Sequence, residues 1–164
     1  MTTTQAPATF PTEWTPAVAA ALAAPFAEDL IGWKPKPSKA ERDADARPAD
    51  CQVCGGWHKP CRVHVPFLGH ALVTERLNAV VGPNGWSWTL VDLVRDDRGA
   101  LQLVVGEMTV LGHTKGPEVG APGDLPAGPG DAFKGAISDY ISQAAARFGV
   151  GLYLKARRLE SGAE

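Results

Sequence analysis

The sequence predicts an α+β domain, an antiparallel sheet packed with a few amphipathic helices. Three observations carry this. Residues 131–154 read DAFKGAISDYISQAAARFGVGLYL, in which Phe133, Ile137, Ile141, Ala144 and Phe148 recur at the spacing of one helical stripe. Residues 86–111 read as two strands, joined by the hairpin signal Asp96-Asp97-Arg98-Gly99. Residues 70–81 place Val73, Leu77 and Val80 on one face of a further helix, which Gly82 ends.

The elements follow in order. Residues 1–13 are rich in Thr, Ala and Pro and are expected to be disordered. Pro16 can open a short Ala-rich helix running to about Ala24, and Pro25 ends it. Leu30 to Lys34 reads as a short strand. Pro35 to Asp50 holds Pro, Lys, Asp and Arg with no apolar side chain larger than Ala, the composition of a mobile linker. Arg62 to Phe67 is the expected returning strand, and the helix from His70 to Val81 follows. Trp86 to Val94 alternates as a strand, so Trp86 and Trp88 are expected to bury together. Asp92, Asp96 and Asp97 read as hairpin solubilisers, and Leu101 to Leu111 is the partner strand. His113 to Gly130 is rich in Gly and Pro and is expected to be a long loop. Asp131 can cap the last helix, and Gly149 suits a left-handed residue at its end. Residues 159–164 are expected to be a flexible tail. There are no internal repeats.

Composition narrows the function. A chain of 164 residues with 45% apolar content can hold one modest core. Its 16 Lys and Arg against 18 Asp and Glu give a formal charge of −2, which excludes loose adhesion of the whole surface to nucleic acid or membrane. Any nucleic-acid site must concentrate positive charge locally. No apolar run reaches the length of a membrane span, and the Thr-rich start lacks the parts of a signal peptide. Three cysteines without a secretory signal fit a reducing cytoplasm.

Those cysteines lie in Cys51-Gln52-Val53-Cys54-Gly55-Gly56-Trp57-His58, which continues through Cys61 to His64. Two thiolates separated by two residues can grip one metal ion, because the turn between them aims backbone N–H groups at sulfur. Gly55 and Gly56 permit the tight backbone that such a knuckle needs. Zinc takes four ligands. Cys51, Cys54 and His64 are three, and either His58 or Cys61 can be the fourth. No acid or base accompanies an open ligand position, so the expected role is structural. A thioredoxin-like pair is disfavoured, because no βαβ pattern surrounds it.

A Lys-x-Ala-x-x-Asp segment at Lys134–Asp139, closing on Arg147-Phe148-Gly149-x-Gly151-x-Tyr153-Leu154, resembles the signature helix of the Rad-fifty-two/twenty-two family of single-strand annealing proteins, in its short phage form. Pro25-Phe26 with Asp29-Leu30-Ile31-Gly32-Trp33-Lys34-Pro35 resembles the family's opening. Gly69-His70 with Gly82-Pro83-Asn84-Gly85-Trp86 resembles its Gly-His helix and following turn, and Glu118-Val119-Gly120 the segment before the signature helix. Together these cover most of residues 22–154. The resemblance implies a curved antiparallel sheet backed by the C-terminal helix, and an annealing domain over residues 14–158. Within it, residues 35–64 form a linker and zinc-knuckle insertion in the first hairpin. Phage members carry Cys-x2-Cys-Gly-Gly-x-His, which favours His58 as the fourth ligand.

The resemblance also implies DNA contacts at Lys34 and Lys36 on the first hairpin, and at Lys134, Gln143 and Arg147 on the last helix. Ser142-Gln143 stand where the family commonly has a basic pair, and Ala146 where eukaryotic members carry another basic residue. Lys59 and Arg62 in the insertion are candidates to compensate. Trp57 is a candidate for stacking on a base, and Lys155, Arg157 and Arg158 form a basic tail. The implied activity is binding of single-stranded DNA and ATP-independent annealing in recombination and repair, by a homo-oligomeric ring or helix. An exonuclease is a further partner the resemblance allows. No Gly-x4-Gly-Lys-Ser/Thr loop exists, so the usual ATP-driven exchange engine is excluded. A zinc-containing single-strand binding module without annealing is the alternative. A nuclease or deaminase is disfavoured, because no His-x-Glu accompanies a Pro-Cys-x2-Cys.

Overall fold

A computed structural model describes residues 9–123, 128–157 and 159–160. In chain order the elements are α1 (Pro16–Ala23), β1 (Gly32–Pro35), α2 (Lys39–Asp43), β2 (Ala49–Asp50), β3 (Trp57–His58), β4 (Val63–Phe67), α3 (His70–Val81), β5 (Trp86–Arg95), β6 (Leu101–Val110), β7 (His113–Gly120), α4 (Pro129–Ala146) and β8 (Leu159–Glu160). Helices and antiparallel sheets are both present, so the fold class is α+β. Residues 1–8 and 161–164, in the expected disordered start and tail, lie outside the described residues, as does Arg158. The chain divides into two compact units. One joins the residues up to Ala24 to His70–Val150; the other joins Pro25–Gly69 to the residues from Gly151 onward.

The first unit is a three-stranded sheet in the order β5-β6-β7, with α4 packed on β6 and β7. Thr15 caps α1, its hydroxyl accepting from the Val18 amide at 3.2 Å, and Pro16 takes the first position of the helix. The β5–β6 turn is built by Asp96, whose carboxylate accepts from the Arg98 and Ala100 amides at 2.9 Å. The expected loop at 113–130 is corrected in its first half, where His113–Gly120 forms β7. Its Gly and Pro content is tolerated because β7 is an edge strand. Trp86 and Trp88 do not bury together. Trp86 donates to the Asn78 side-chain oxygen at 2.8 Å, while Trp88 lies edge-on to Tyr140 and stays 38% exposed.

Two glycines decide how α4 meets the sheet. A side chain at Gly106 would strike the Tyr140 ring, and one at Gly120 would run into the Ala136 carbonyl and Tyr140. Their absence lets helix and strands approach closely, with Ala136 and Tyr140 fully buried. The inward face therefore takes in Ala136 and Tyr140 beside part of the expected stripe. Ile141, Ala144 and Phe148 are buried, but Phe133 is exposed. The helix also starts earlier than Asp131 suggested. Gly128 is the N-cap and Pro129 follows, preorganised for the first turn. Gly149 (φ 101°) and Gly151 (φ 65°) take positive φ after the helix.

The second unit contains the β1-β4-β8 sheet and the β2–β3 ribbon. Within the stretch expected as a linker, Ser38 and Glu41 form a capping box that starts α2. Arg157 grips Glu28 with two hydrogen bonds of 3.0 Å and lies over the Trp33 ring. That contact occupies one cation of the expected basic tail.

Gly120→Ala is expected to lower stability by about 1–3 kcal/mol, the cost of overpacking a close helix–sheet contact. Urea unfolding would show it, and an unchanged midpoint would refute the close approach.

Candidate metal centre and nucleic-acid interface

The antiparallel ribbon pairs Ala49 with His58 and Asp50 with Trp57, which brings the end of β2 beside β3. The Cys51 amide donates to the Gly56 carbonyl at 2.9 Å, and the Gly55 amide to the Cys51 carbonyl at 2.8 Å. Gly55 closes that turn at φ 67°, a conformation that glycine adopts without strain. β4 then supplies His64, which is fully buried. The ligand atoms of Cys51, Cys54, His58 and His64 all lie within 4.8 Å of one another. Cys51 Sγ is 3.3 Å from His64 Nε2, and Cys54 Sγ is 3.2 Å from His58 Nε2.

The donor set fits a tetrahedral ion. Metal–sulfur bonds of about 2.3 Å and metal–nitrogen bonds of about 2.0–2.1 Å give ligand edges of about 3.3–3.8 Å. The His58 Nδ1 lies 2.6 Å from the Lys59 carbonyl. A carbonyl only accepts, so Nδ1 carries the proton and Nε2 keeps a lone pair facing the thiols. Burial resists ionisation of Cys51, but N–H groups of Cys54 and Val53 bring its pKa down to about 7. His64 is held below the ordinary imidazole pKa by burial, and so stays neutral as ligation requires. Its Nδ1 is buried without a partner among the described residues. The four side chains could hold one metal ion.

Cys61 behaves differently. Burial raises its pKa, its thiol donates to the Val63 carbonyl at 3.5 Å, and it lies 3.9 Å from His64 Nε2. It lies beside the four rather than among them.

The register of β1 and β4 sorts the other site residues. Gly32 opposes Phe67, Trp33 opposes Pro66, Lys34 opposes Val65 and Pro35 opposes His64. Opposed residues share a face, and alternate residues switch faces. Trp33, Pro35, Pro66 and His64 therefore lie on one side of this sheet. Gly32, Lys34, Val65 and Phe67 lie on the other. The Lys36 amide continues the pairing, donating to the Val63 carbonyl at 2.8 Å, so Lys36 follows Lys34 on that second side. Both lysines are exposed. Neither makes a side-chain hydrogen bond or ion pair among the described residues.

The cations of α4 are more engaged. Arg147 pairs with Glu118 at 2.5 Å and Gln143 donates to Asp139 at 3.3 Å. Lys134 lies 3.8 Å from Asp131, with both side chains largely exposed, a weak surface pair. Asp139 also accepts from the Ala121 amide at 3.0 Å, which ties α4 to the end of β7. In the insertion, Lys59 donates to the carbonyls of Arg42 and Ala44 at the end of α2. That bonding gives Lys59 a local structural task. Trp57 is 69% exposed.

Sequence reasoning missed Glu41, whose carboxylate accepts from the Ser38 amide at 2.6 Å and the Arg62 amide at 2.7 Å. It thereby links α2 to the segment entering β4. The Ser-x-x-Glu spacing at 38–41 was the available signal. The pairing of Glu118 with Arg147 carried no local signal. The two lie 29 positions apart and meet only through the packing of β7 on α4.

The chain is 32% identical over 136 residues to the single-stranded DNA-binding protein DdrA of Deinococcus radiodurans, a match covering 81% of this chain and 52% of that protein. This chain thus spans about half the length of the curated relative it matches. No protein-family model matches the chain. No solved structure matches it either. No described helix is long and apolar enough to cross a membrane.

Purified protein is expected to carry one equivalent of metal, lost in Cys51→Ser and His58→Ala and kept in Cys61→Ser. Elemental analysis of the four proteins checks this. Metal lost with Cys61, or kept without Cys51, would discard the four-residue set.

Proposed function

We propose that this chain binds single-stranded DNA and anneals complementary strands without nucleotide hydrolysis, as a homo-oligomeric ring or helical array acting in recombination and repair in the cytoplasm. The observation that carries the reading is the exposed pair Lys34 and Lys36, side by side on one strand face of a protein similar to a single-stranded DNA-binding protein. Annealing requires no bond chemistry. A protein need only hold the sugar–phosphate backbone, leave base edges free and offer a long enough track. Cations on a strand face suit the first task, because they meet phosphates without reading bases. Lys134, Gln143 and Arg147 are proposed as further contacts along α4. The partners already bound to Gln143 and Arg147 leave more of the work to Lys34 and Lys36.

Zinc is the metal proposed for Cys51, Cys54, His58 and His64. A mixed thiolate and imidazole set in tetrahedral order suits it, and four protein ligands leave no open position for catalysis. When bound, the ion supplies a cross-link. Residues 35–64 are then an ordered insertion within an annealing domain over residues 14–158, and the chain is a binding protein rather than an enzyme.

Self-association is supported by β5. Among the described residues this ten-residue strand pairs only with β6. Val91 is 60% exposed, and Leu93, Val94 and, on β7, Val119 are also exposed. A long, apolar strand with one open edge invites another copy unless something blunts it. β7, the opposite edge, carries Pro117 and is already blunted. If β5 meets an unlike surface of the next copy, rings or open helices result, the assemblies that a continuous track needs, whereas β5 meeting β5 closes a dimer.

Mixing complementary labelled oligonucleotides with the protein tests the reading. Faster pairing without ATP is expected. Binding without pairing would support a coating module instead, and cleaved or altered strands would point to an enzyme. Lys34→Gln with Lys36→Gln is expected to weaken binding and flatten its salt dependence by about two phosphate contacts. Val91→Lys with Val94→Lys is expected to shift the protein to smaller particles in sedimentation. Unchanged particle size would remove β5 from the assembly.

A further inference from the structure

We infer that Phe67 is a base-stacking platform for a single-stranded nucleic acid whose phosphates are met by Lys34 and Lys36, an inference that rests on the single-strand binding reading above. Phe67 ends β4 directly opposite Gly32 and is 42% exposed. A Cβ placed at Gly32 would come within 2.5 Å of two carbon atoms of that ring. The ring therefore lies across the bare backbone of Gly32. Gly32 has no positive φ that would demand glycine. The space it leaves is what the ring uses.

The alternation of β1 then sets the spacing. Lys34 is the next residue beyond Gly32 on the same face, about 6.8 Å along the strand, and Lys36 is one step further. An exposed aromatic ring followed by two exposed cations on one strand face is the pairing that binds single strands. The ring takes a base face of any sequence, and the ammonium groups take the backbone. A partner protein would also use an apolar ring, but two adjacent lysines that make no ion pair among the described residues complement a polyanion better. His64 and the sulfurs lie on the reverse face, so a strand laid on this surface need not touch the metal ligands.

The test compares full-length wild type, Phe67→Leu, Phe67→Tyr and Gly32→Ala on oligothymidylate and on an abasic oligomer of equal length. Metal content and circular dichroism confirm that each variant folds. Wild type is expected to prefer oligothymidylate. Phe67→Leu is expected to lose about tenfold on it and nothing on the abasic oligomer, with its salt slope unchanged. Phe67→Tyr should retain the preference, and Gly32→Ala, which displaces the ring without removing it, should lose it. Equal losses on both oligomers would mark Phe67 as merely structural and overturn the inference. Unchanged binding of Phe67→Leu, or a wild type that binds both oligomers equally, would overturn it while leaving phosphate binding intact. A wild type that binds neither would instead overturn the single-strand reading on which it rests.

Discussion

The meeting of Cys51, Cys54, His58 and His64 at one point is the constraint on which the second unit depends. The described residues of that unit bury few large apolar side chains, namely Phe26, Ile31 and Leu154. Ordering each residue costs about 1–2 kcal/mol in backbone entropy, and so thin a core offsets little of it. A metal bound by these side chains, worth about 10–16 kcal/mol in small zinc peptides, is the largest single contribution open to such a segment. Smaller ties then hold what the clasp brings near. Glu41 joins α2 to the residue before β4, Lys59 closes the end of α2, and Arg157 fastens Glu28.

Strand alternation ties that clasp to the face that carries Lys34 and Lys36. His64 must point inward to reach the sulfurs, so its neighbours Val63 and Val65 point the other way. Pairing then fixes Lys34 opposite Val65 and aligns Lys36 with Val63. One register thus orients the buried histidine and the two exposed cations together. A slip of a single residue would exchange the faces, sending a lysine towards the thiols and the histidine into water. The proposed metal ligands and the proposed phosphate contacts lie on opposite faces, yet both are oriented by the same ladder.

The parts legible in the sequence were those whose signal is local. The α3 helix runs from His70 to Val81 as its periodicity predicts, and the β5–β6 hairpin turns at Asp96–Gly99. The ligand cluster was visible from spacing alone, although choosing His58 over Cys61 needed the resemblance. What failed to show was long-range. β7 is written in Gly and Pro because Gly120 must admit Tyr140 and because an edge strand needs few donors, so composition there looked like a loop. The α4 stripe was read from large apolar residues, while close approach at Gly106 and Gly120 selects Ala136 and Tyr140. Trp88 looked like core because it alternates with Trp86, but α4 lies over β6 and β7 rather than over β5.

That uneven cover gives the first unit its character. The central strand β6 carries most of the buried residues of this sheet, while β5 and β7 on either side stay largely exposed. Nature commonly blunts such an edge with charge, proline or a bulge. β7 receives Pro117, and β5 receives a register shift between Leu90 and Asp92, with Val91 displayed there. A bulge that presents valine rather than lysine bends the strand without making it repellent. Monomeric proteins rarely leave contiguous apolar surface of this kind. Trp88, edge-on to Tyr140, and Val91, Leu93 and Val94 along the same strand stay exposed, which is the ground for the self-association proposed above.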